Sequence, residues 1–356
     1  MPKSHRPFFS IVVTCYNTRS DYINTLLNSL TFQGISKEDM QVIISDDCST
    51  DTSFYQIIDQ FKDKLNITMT RTDENAIHCP GNNRENGASL VKGKWLLFMD
   101  HDDALADNAL KSVQDFIKET KEKYFIISSF VEADKDDLNK SIRVFKTIGG
   151  WLHGKFYNVD NFWKKADIHF PKDLKTHEDI AICSIVNCEM FHLKIKAPTF
   201  FDKITYIYRS SDTSTYKQMT QTKFNVGHGF LECYYIDYLN STGNIYIEDF
   251  KKHINNIDAD NKIAHLYRCI DVILYLYFYL QSFKFNYPND YVLENEFACK
   301  EYIRKVVNIL HFSRNDIFGI VANNEAKWYN DVRKSAIDSV GNFIEVDSFK
   351  EFLFNC

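Results

Sequence analysis

G-K-W-L-L-F-M-D-H-D-D, Gly93 to Asp103, is the stretch on which the reading of the fold turns. Its apolar run, Trp95 to Met99, has the length and composition of a buried strand. The run stops at Asp100, Asp102 and Asp103, with His101 between them. A strand that delivers acids at its carboxyl end places them where open α/β sheets keep their ligand crevice. Clustered carboxylates repel one another, so the pattern calls for a cation, most simply a divalent metal with oxygen ligands. Read alone, the same letters also describe an acidic surface turn.

The flanking sequence separates the two readings. Phe8 to Thr14 reads as a first strand, and Asp21 to Phe32 carries Tyr22, Ile23, Leu26, Leu27 and Leu30 at helical spacing. Gln41 to Ser45 is a second strand, and it too ends on acids, Asp46 and Asp47. A helix with Phe54, Ile57, Ile58 and Phe61 on one face follows, then a strand at Ile67 to Arg71 and a Gly/Asn-rich loop from His78 to Gly87. Alternating strands and helices with crossovers of this length predict right-handed βαβ units and a mostly parallel sheet. In such a sheet the two acid-tipped strands present their carboxylates on one edge.

Beyond Asp103 the pattern predicts a helix at Asn108 to Lys121, a strand at Tyr124 to Phe130 and an exposed connection at Glu132 to Lys140. An aromatic-rich loop at Trp151 to Asn158, a helix opened by Glu178 and Asp179, and a last strand at Ile204 to Tyr208 complete this part. From Tyr216 glycine becomes rare and segments such as Asn261 to Phe283 and Glu301 to Phe312 carry helical spacing. The expected organisation is an α/β domain over residues 1–215 and a helical C-terminal domain over 216–356, the latter a candidate surface for homo-oligomerisation.

Composition narrows the class. The chain has 356 residues, 44% of them hydrophobic, and a formal charge of −6, which carries no global nucleic-acid signature. Nine cysteines without a C-x-x-C pair, and no signal-peptide pattern, lead us to expect reduced thiols in a cytoplasmic protein. No apolar stretch approaches the roughly 20 residues of a membrane span.

Several motifs, in order from Phe8 to Thr215, resemble those of GT-A fold glycosyltransferases of family 2. V-V-T-C-Y-N (Val12 to Asn17) is similar to the family's first strand, and S-D-D-C-S-T-D (Ser45 to Asp51) to its D-D-G-S-x-D, with Cys48 where glycine is usual. N-R-E-N-G (Asn83 to Gly87) resembles its A-R-N-x-G helix, and M-D-H-D-D (Met99 to Asp103) its L-D-x-D-D. W-L-H-G-K-F-Y with I-H-F-P and H-E-D (Trp151 to Asp179), and Y-I-Y-R … S-D-T-S (Tyr206 to Ser214), resemble the acceptor-side and terminal elements. The fold so implied is GT-A, a Rossmann-like, mostly parallel sheet with flanking helices.

The resemblance implies an inverting transferase that moves a sugar from a nucleotide donor, with UDP favoured, to an acceptor hydroxyl with the help of Mn2+ or Mg2+. It places Asp102 on the metal, Asp100 at the ribose or metal, and Asp103 beside its neighbours or the donor sugar. Asp47 would accept the imide N–H of uracil, with Thr14 and Tyr16 lining the base pocket, and Arg84 would pair with the diphosphate. Asp179 would be the base that deprotonates the acceptor. Each residue has an alternative: Thr14 as plain strand, Tyr16 as core, Arg84 as a solvated cation, Asp46 as a structural acid, and Glu178–Asp179 as favourable charges at a helix N-terminus. Trp151 and His153 are candidates for the acceptor pocket, and His177 for metal or phosphate; His101 has no assignment. Acceptors to weigh are glycans, teichoic acids or lipid-linked sugars, and, as a virus-encoded variant, hydroxymethylated bases of DNA. A non-catalytic glycan- or nucleotide-binding module is the competing class.

Overall fold

The computed structural model describes residues 5–146, 151–171, 177–210, 304, 314, 315, 318 and 346–355. The chain divides into two compact units, Met1–Gln218 and Met219–Cys356. In the second unit the described residues include a helix, Val346–Asn355. The segments expected to be helical at Asn261 to Phe283 and, Arg304 apart, Glu301 to Phe312 lie outside the described residues.

The first unit is built on a nine-stranded sheet. Its strands are β1 (Phe9–Cys15), β2 (Met40–Asp46), β3 (Asn66–Arg71), β4 (Trp95–Asp100), β5 (Ala104–Leu105), β6 (Phe125–Ala133), β7 (Ser141–Phe145), β8 (Lys155–Asn158) and β9 (Thr199–Arg209). The helices are α1 (Ser20–Thr31), α2 (Tyr55–Phe61), α3 (Pro80–Ala88), α4 (Ala109–Thr120) and α5 (Glu178–His192). The sheet order is β3-β2-β1-β4-β8-β6-β9-β5, with β7 paired to β6. β3, β2, β1 and β4 run parallel, as do β6 and β9, while β8 runs antiparallel between β4 and β6.

Every residue of β1 and β2, and all of β4 except Asp100, is buried. That is the expected state of parallel strands covered on both faces, and it explains why they read as continuous apolar runs. α1 turns Ile23, Leu26, Leu27 and Leu30 into the core, the spacing of one helical face. Each such side chain contributes about 1.5–3 kcal/mol when fully buried. The chain steps outward from β1 to β2 to β3, then returns through α3 to β4 on the other side of β1. The reversal makes the β1/β4 junction the topological switch point, where open sheets bind ligands.

Three local expectations need correction. The Gly/Asn-rich segment expected as a loop at His78 to Gly87 is, from Pro80, the helix α3. It has no apolar face; it is capped by Cys79 and packs through Gly81 and Gly87, where a Cβ would meet Pro171 O at 2.8 Å and Val12 Cγ1 at 2.5 Å. The aromatic loop at Trp151 to Asn158 ends in strand β8, whose Phe156 and Tyr157 are fully buried between β4 and β6. The connection expected at Glu132 to Lys140 is shorter, since β6 runs to Ala133.

Gly87 lets α3 lie directly on β1, against the stiff, fully buried Val12. Gly87→Ala gains up to about 1 kcal/mol of helix propensity, but the clash is with a side chain that has nowhere to move. A net loss of about 1–3 kcal/mol is expected. Urea unfolding checks it: the midpoint should fall with the slope unchanged.

Candidate active site

The registers of β1 bring the two acid-tipped strands together. Thr14 sits opposite Ser45 on one side and Asp100 on the other, and Cys15 opposite Asp46. Thr14 Oγ1 donates to Asp100 Oδ1 at 3.3 Å, and the Asp47 amide donates to Cys15 O at 2.9 Å. His101 Nδ1 lies 3.2 Å from Thr14 O, so His101 is tied to β1. Tyr16 is 56% exposed, which removes it from the core and leaves its ring at the rim of this edge.

Arg84 crosses the site from α3. It is buried, and its terminal nitrogens hold Asp100 Oδ1, at 2.7 Å, and Glu178 Oε1. It is neither a solvated arginine nor one with free ends, because both terminal nitrogens are already committed to carboxylates. Burial alone would lower the Arg84 pKa, but Asp100 and Glu178 outweigh it and raise it. Burial would likewise raise Asp100, yet the Arg84 guanidinium and His153 hold it well below the usual carboxylate range. Arg84 Nε is buried without a partner among the described residues.

Asp103 is fully buried and faces β9: Tyr206 OH donates to its Oδ2 at 2.5 Å and the Arg209 amide to its Oδ1 at 2.8 Å. Arg209 Nε donates to Asp102 O at 2.7 Å, so the whole D-H-D-D turn is fixed from β9. Burial, then Asp102 and Asp100, push Asp103 well above the carboxylate range. Asp102 is pushed up by burial, relieved in part by His101 and increased again by Asp100. His153 Nε2 lies 4.0 Å from Asp100 Oδ2 and 3.9 Å from Asp103 Oδ2. Its ring stacks on those of Tyr206 and Tyr208, with centroids 4.7 and 4.9 Å away, and its Nδ1 is buried without a partner among the described residues. Asp100, Asp103 and His153 are the group of potential metal ligands that converge among the described residues; Asp102 is not in it.

Asp179 opens α5 directly beside the Arg84 partner Glu178. Burial and the Glu178 carboxylate raise its pKa to about 6, against the pull of Arg84. His177, just before it, is buried with φ +66°. Near Gly81 the α3 backbone approaches Glu178 so closely that a Cβ would sit 3.2 Å from Glu178 Cβ.

At the end of β2 the two aspartates part company. Asp46 accepts from Ser49 N and Oγ, from Tyr55 OH at 2.7 Å and from Arg71 at 2.6 Å, the structural-acid alternative. Asp47 instead faces His78, whose Nδ1 is 3.0 Å from its Oδ1. Cys48 takes φ +57°, the left-handed conformation that glycine adopts most cheaply. Its Sγ donates to Thr72 O at 2.8 Å, which anchors the turn.

The sequence reading missed Glu178 as the partner of Arg84 and His78 as the partner of Asp47. No local pattern marked either pairing.

With this arrangement in view, the comparisons are decisive at the level of family. The sequence model of glycosyl transferase family 2 matches residues 10–194. The chain belongs to glycosyl transferase family 2. Among similar proteins is the poly(ribitol-phosphate) beta-N-acetylglucosaminyltransferase TarS of Staphylococcus aureus (strain MW2). It is 32% identical over 183 residues, covering 48% of this chain and 31% of that protein. A poly(ribitol-phosphate) beta-glucosyltransferase of Bacillus spizizenii is 33% identical over 184 residues, 48% of this chain and 28% of that protein. The chain thus matches about a third of the length of these relatives. A crystal structure of S. aureus TarS 1-349 in complex with UDP-GlcNAc superposes with a TM-score of 0.54 at 18% identity. The match covers 98% of this chain and 90% of that one, and it supports the GT-A fold. No helix among the described residues is long and apolar enough to cross a membrane.

The raised Asp179 pKa has a thermodynamic sign. A carboxyl whose folded value, about 6, exceeds its ordinary 3.8 contributes stability below 3.8 that is lost as pH rises through 6. Ionised Asp179 therefore strains the fold at neutral pH. Asp179→Asn should raise the melting temperature at pH 7.5, by about 1–3 kcal/mol of stability, and leave it unchanged at pH 4. Thermal melts across that range read it directly.

Proposed function

We propose that the chain is an inverting, metal-dependent glycosyltransferase that moves a sugar from a UDP-sugar to a hydroxyl of a teichoic acid polymer. The observation that carries the proposal is Asp179: a half-buried carboxyl with a pKa of about 6, next to the Glu178 that Arg84 ties to Asp100 at the end of β4. A group tuned close to neutrality is suited to take a proton from an attacking hydroxyl. The names of the relatives support the rest. A β-linked product from an α-linked nucleotide sugar requires attack from the opposite face, and poly(ribitol-phosphate) is a teichoic acid backbone.

In this reading Asp47 receives the base, with Thr14 and Tyr16 along its pocket, and Asp100 lies at the ribose. Arg84 acts by positioning: it fixes the donor-side Asp100 and the acceptor-side Glu178–Asp179 pair on one cation. The chemistry belongs to residues 1–215, with 216–356 as a separate helical domain.

The residues fit a divalent ion. Its carboxylates suit Mn2+ or Mg2+, and its imidazole favours Mn2+ over Mg2+. Asp100 Oδ2 and His153 Nε2 would hold it, with Asp102 offered from the same turn; Asp103 already accepts at both oxygens. Bound there, the ion supplies neutralisation of the departing diphosphate. The chain's own contribution is to orient the donor acids through Arg84, Tyr206 and Arg209 and to hold the accepted proton on Asp179.

A screen of nucleotide sugars for donor hydrolysis, followed by transfer to poly(ribitol phosphate), tests the proposal. Asp179→Asn should lower transfer by about 10²–10⁴-fold while leaving UDP binding intact. In the parent kcat/KM should rise as pH increases through about 6 and then level, because the base must be ionised. Equal transfer by parent and Asp179→Asn would sink the assignment. Chelation with EDTA should weaken UDP binding measured by calorimetry, and added Mn2+ should restore it.

A further inference from the structure

We infer that His78 is a positioning residue that sets which nucleobase the donor carries. By engaging one oxygen of Asp47 and fixing the direction of the other, it selects bases with a ring N–H at that position, as N3 of uracil has and N3 of cytosine lacks. The inference rests on the reading above, in which Asp47 meets the base.

Both ring nitrogens of His78 face oxygen acceptors. Nδ1 lies 3.0 Å from Asp47 Oδ1, and Nε2 lies 3.3 Å from the Glu74 carbonyl. A neutral imidazole has one N–H and can serve only one of them; the imidazolium serves both. The contacts to Asp47 and to Glu74 O accordingly raise the His78 pKa above its ordinary 6.5. The charged groups acting on His78 are Asp47 at the end of β2 and, with opposite sign, Arg71 at the end of β3. Arg71 is bound to Asp46 Oδ2 at 2.6 Å and to Ser49 O at 3.2 Å, so among the described residues the basic side chain that touches Asp47 is His78.

The segment is also fixed in place. His78 precedes the α3 cap Cys79, and Asn82 Nδ2 ties back to Ile77 O at 2.9 Å. With one Asp47 oxygen engaged by His78, the carboxylate is held in one orientation and its other oxygen is left to a ligand. It then accepts a hydrogen bond from a ligand and donates none. Cytosine, which presents a bare ring nitrogen where uracil presents N–H, meets a repulsive pair of acceptors.

Calorimetric titration of the full chain with UDP and with CDP at constant ionic strength tests this, alongside donor hydrolysis kinetics. Parent protein should prefer UDP by about 10–100-fold, the range of one lost buried hydrogen bond. His78→Leu should shrink that ratio several-fold and raise the KM for the UDP-sugar with kcat unchanged, since His78 touches no reacting atom. His78→Gln, which keeps a donor toward Asp47 without the charge, should recover part of both. UDP affinity of the parent, but not of His78→Gln, should fall as pH rises from 6.5 to 8.5. If the parent binds UDP and both variants keep its UDP/CDP ratio and KM, the inference is wrong and the donor assignment stands. If the parent binds no UDP, both fall. Side chain 78 is 39% exposed, so the variants are expected to fold, which their melting curves check.

Discussion

The site depends on a single buried guanidinium. Arg84 joins Asp100, at the end of β4, to Glu178, at the start of α5. These residues are far apart in the chain and belong to what the proposed chemistry treats as donor and acceptor sides. A buried charge without partners would cost several kcal/mol, so the three groups are stable only together. The arrangement converts the placement of one helix into the placement of two carboxylates. It also shapes Asp179, whose pKa is raised by Glu178 and lowered by Arg84 at once.

α3 is the element that makes this geometry available, and its sequence shows how. A helix of P-G-N-N-R-E-N-G-A has no hydrophobic reason to lie on a sheet. It does so because Gly87 removes the side chain that would hold it off β1 and β2, while Asn83, buried beneath it, donates to Cys15 O at 3.2 Å; Gly81 in turn admits Pro171 and Glu178. Close approach and polar contacts replace the apolar stripe found on α1. The same features make the helix hard to recognise by periodicity, which is why the segment reads as a loop from its residues alone.

Much of the fold was legible for an opposite reason. The buried parallel strands are long apolar runs, and the acids that end β2 and β4 stand out against them. The mostly parallel sheet, with the acid-tipped β2 and β4 on the two sides of β1, therefore followed from pattern. What pattern could not carry was pairing between distant side chains: Asp103 with Tyr206 and Arg209, His153 with the two acids, Arg84 with Glu178. Those contacts depend on how β9, β8 and α5 fold back, and no local spacing encodes them. Nor could letters divide the work between Asp46 and Asp47. The division comes from Arg71, Tyr55 and Ser49 converging on the first and His78 on the second.

The turn after β2 bears on how such motifs are defined. The motif that this stretch resembles has glycine where this chain carries Cys48, and the Cys48 backbone takes the left-handed angle, with a thiol hydrogen bond to Thr72 O. What the turn specifies is a dihedral angle, and glycine is one solution among several. A pattern that insists on the letter would pass over chains that satisfy the geometry by other means. A description in terms of the angle and its anchor would include them.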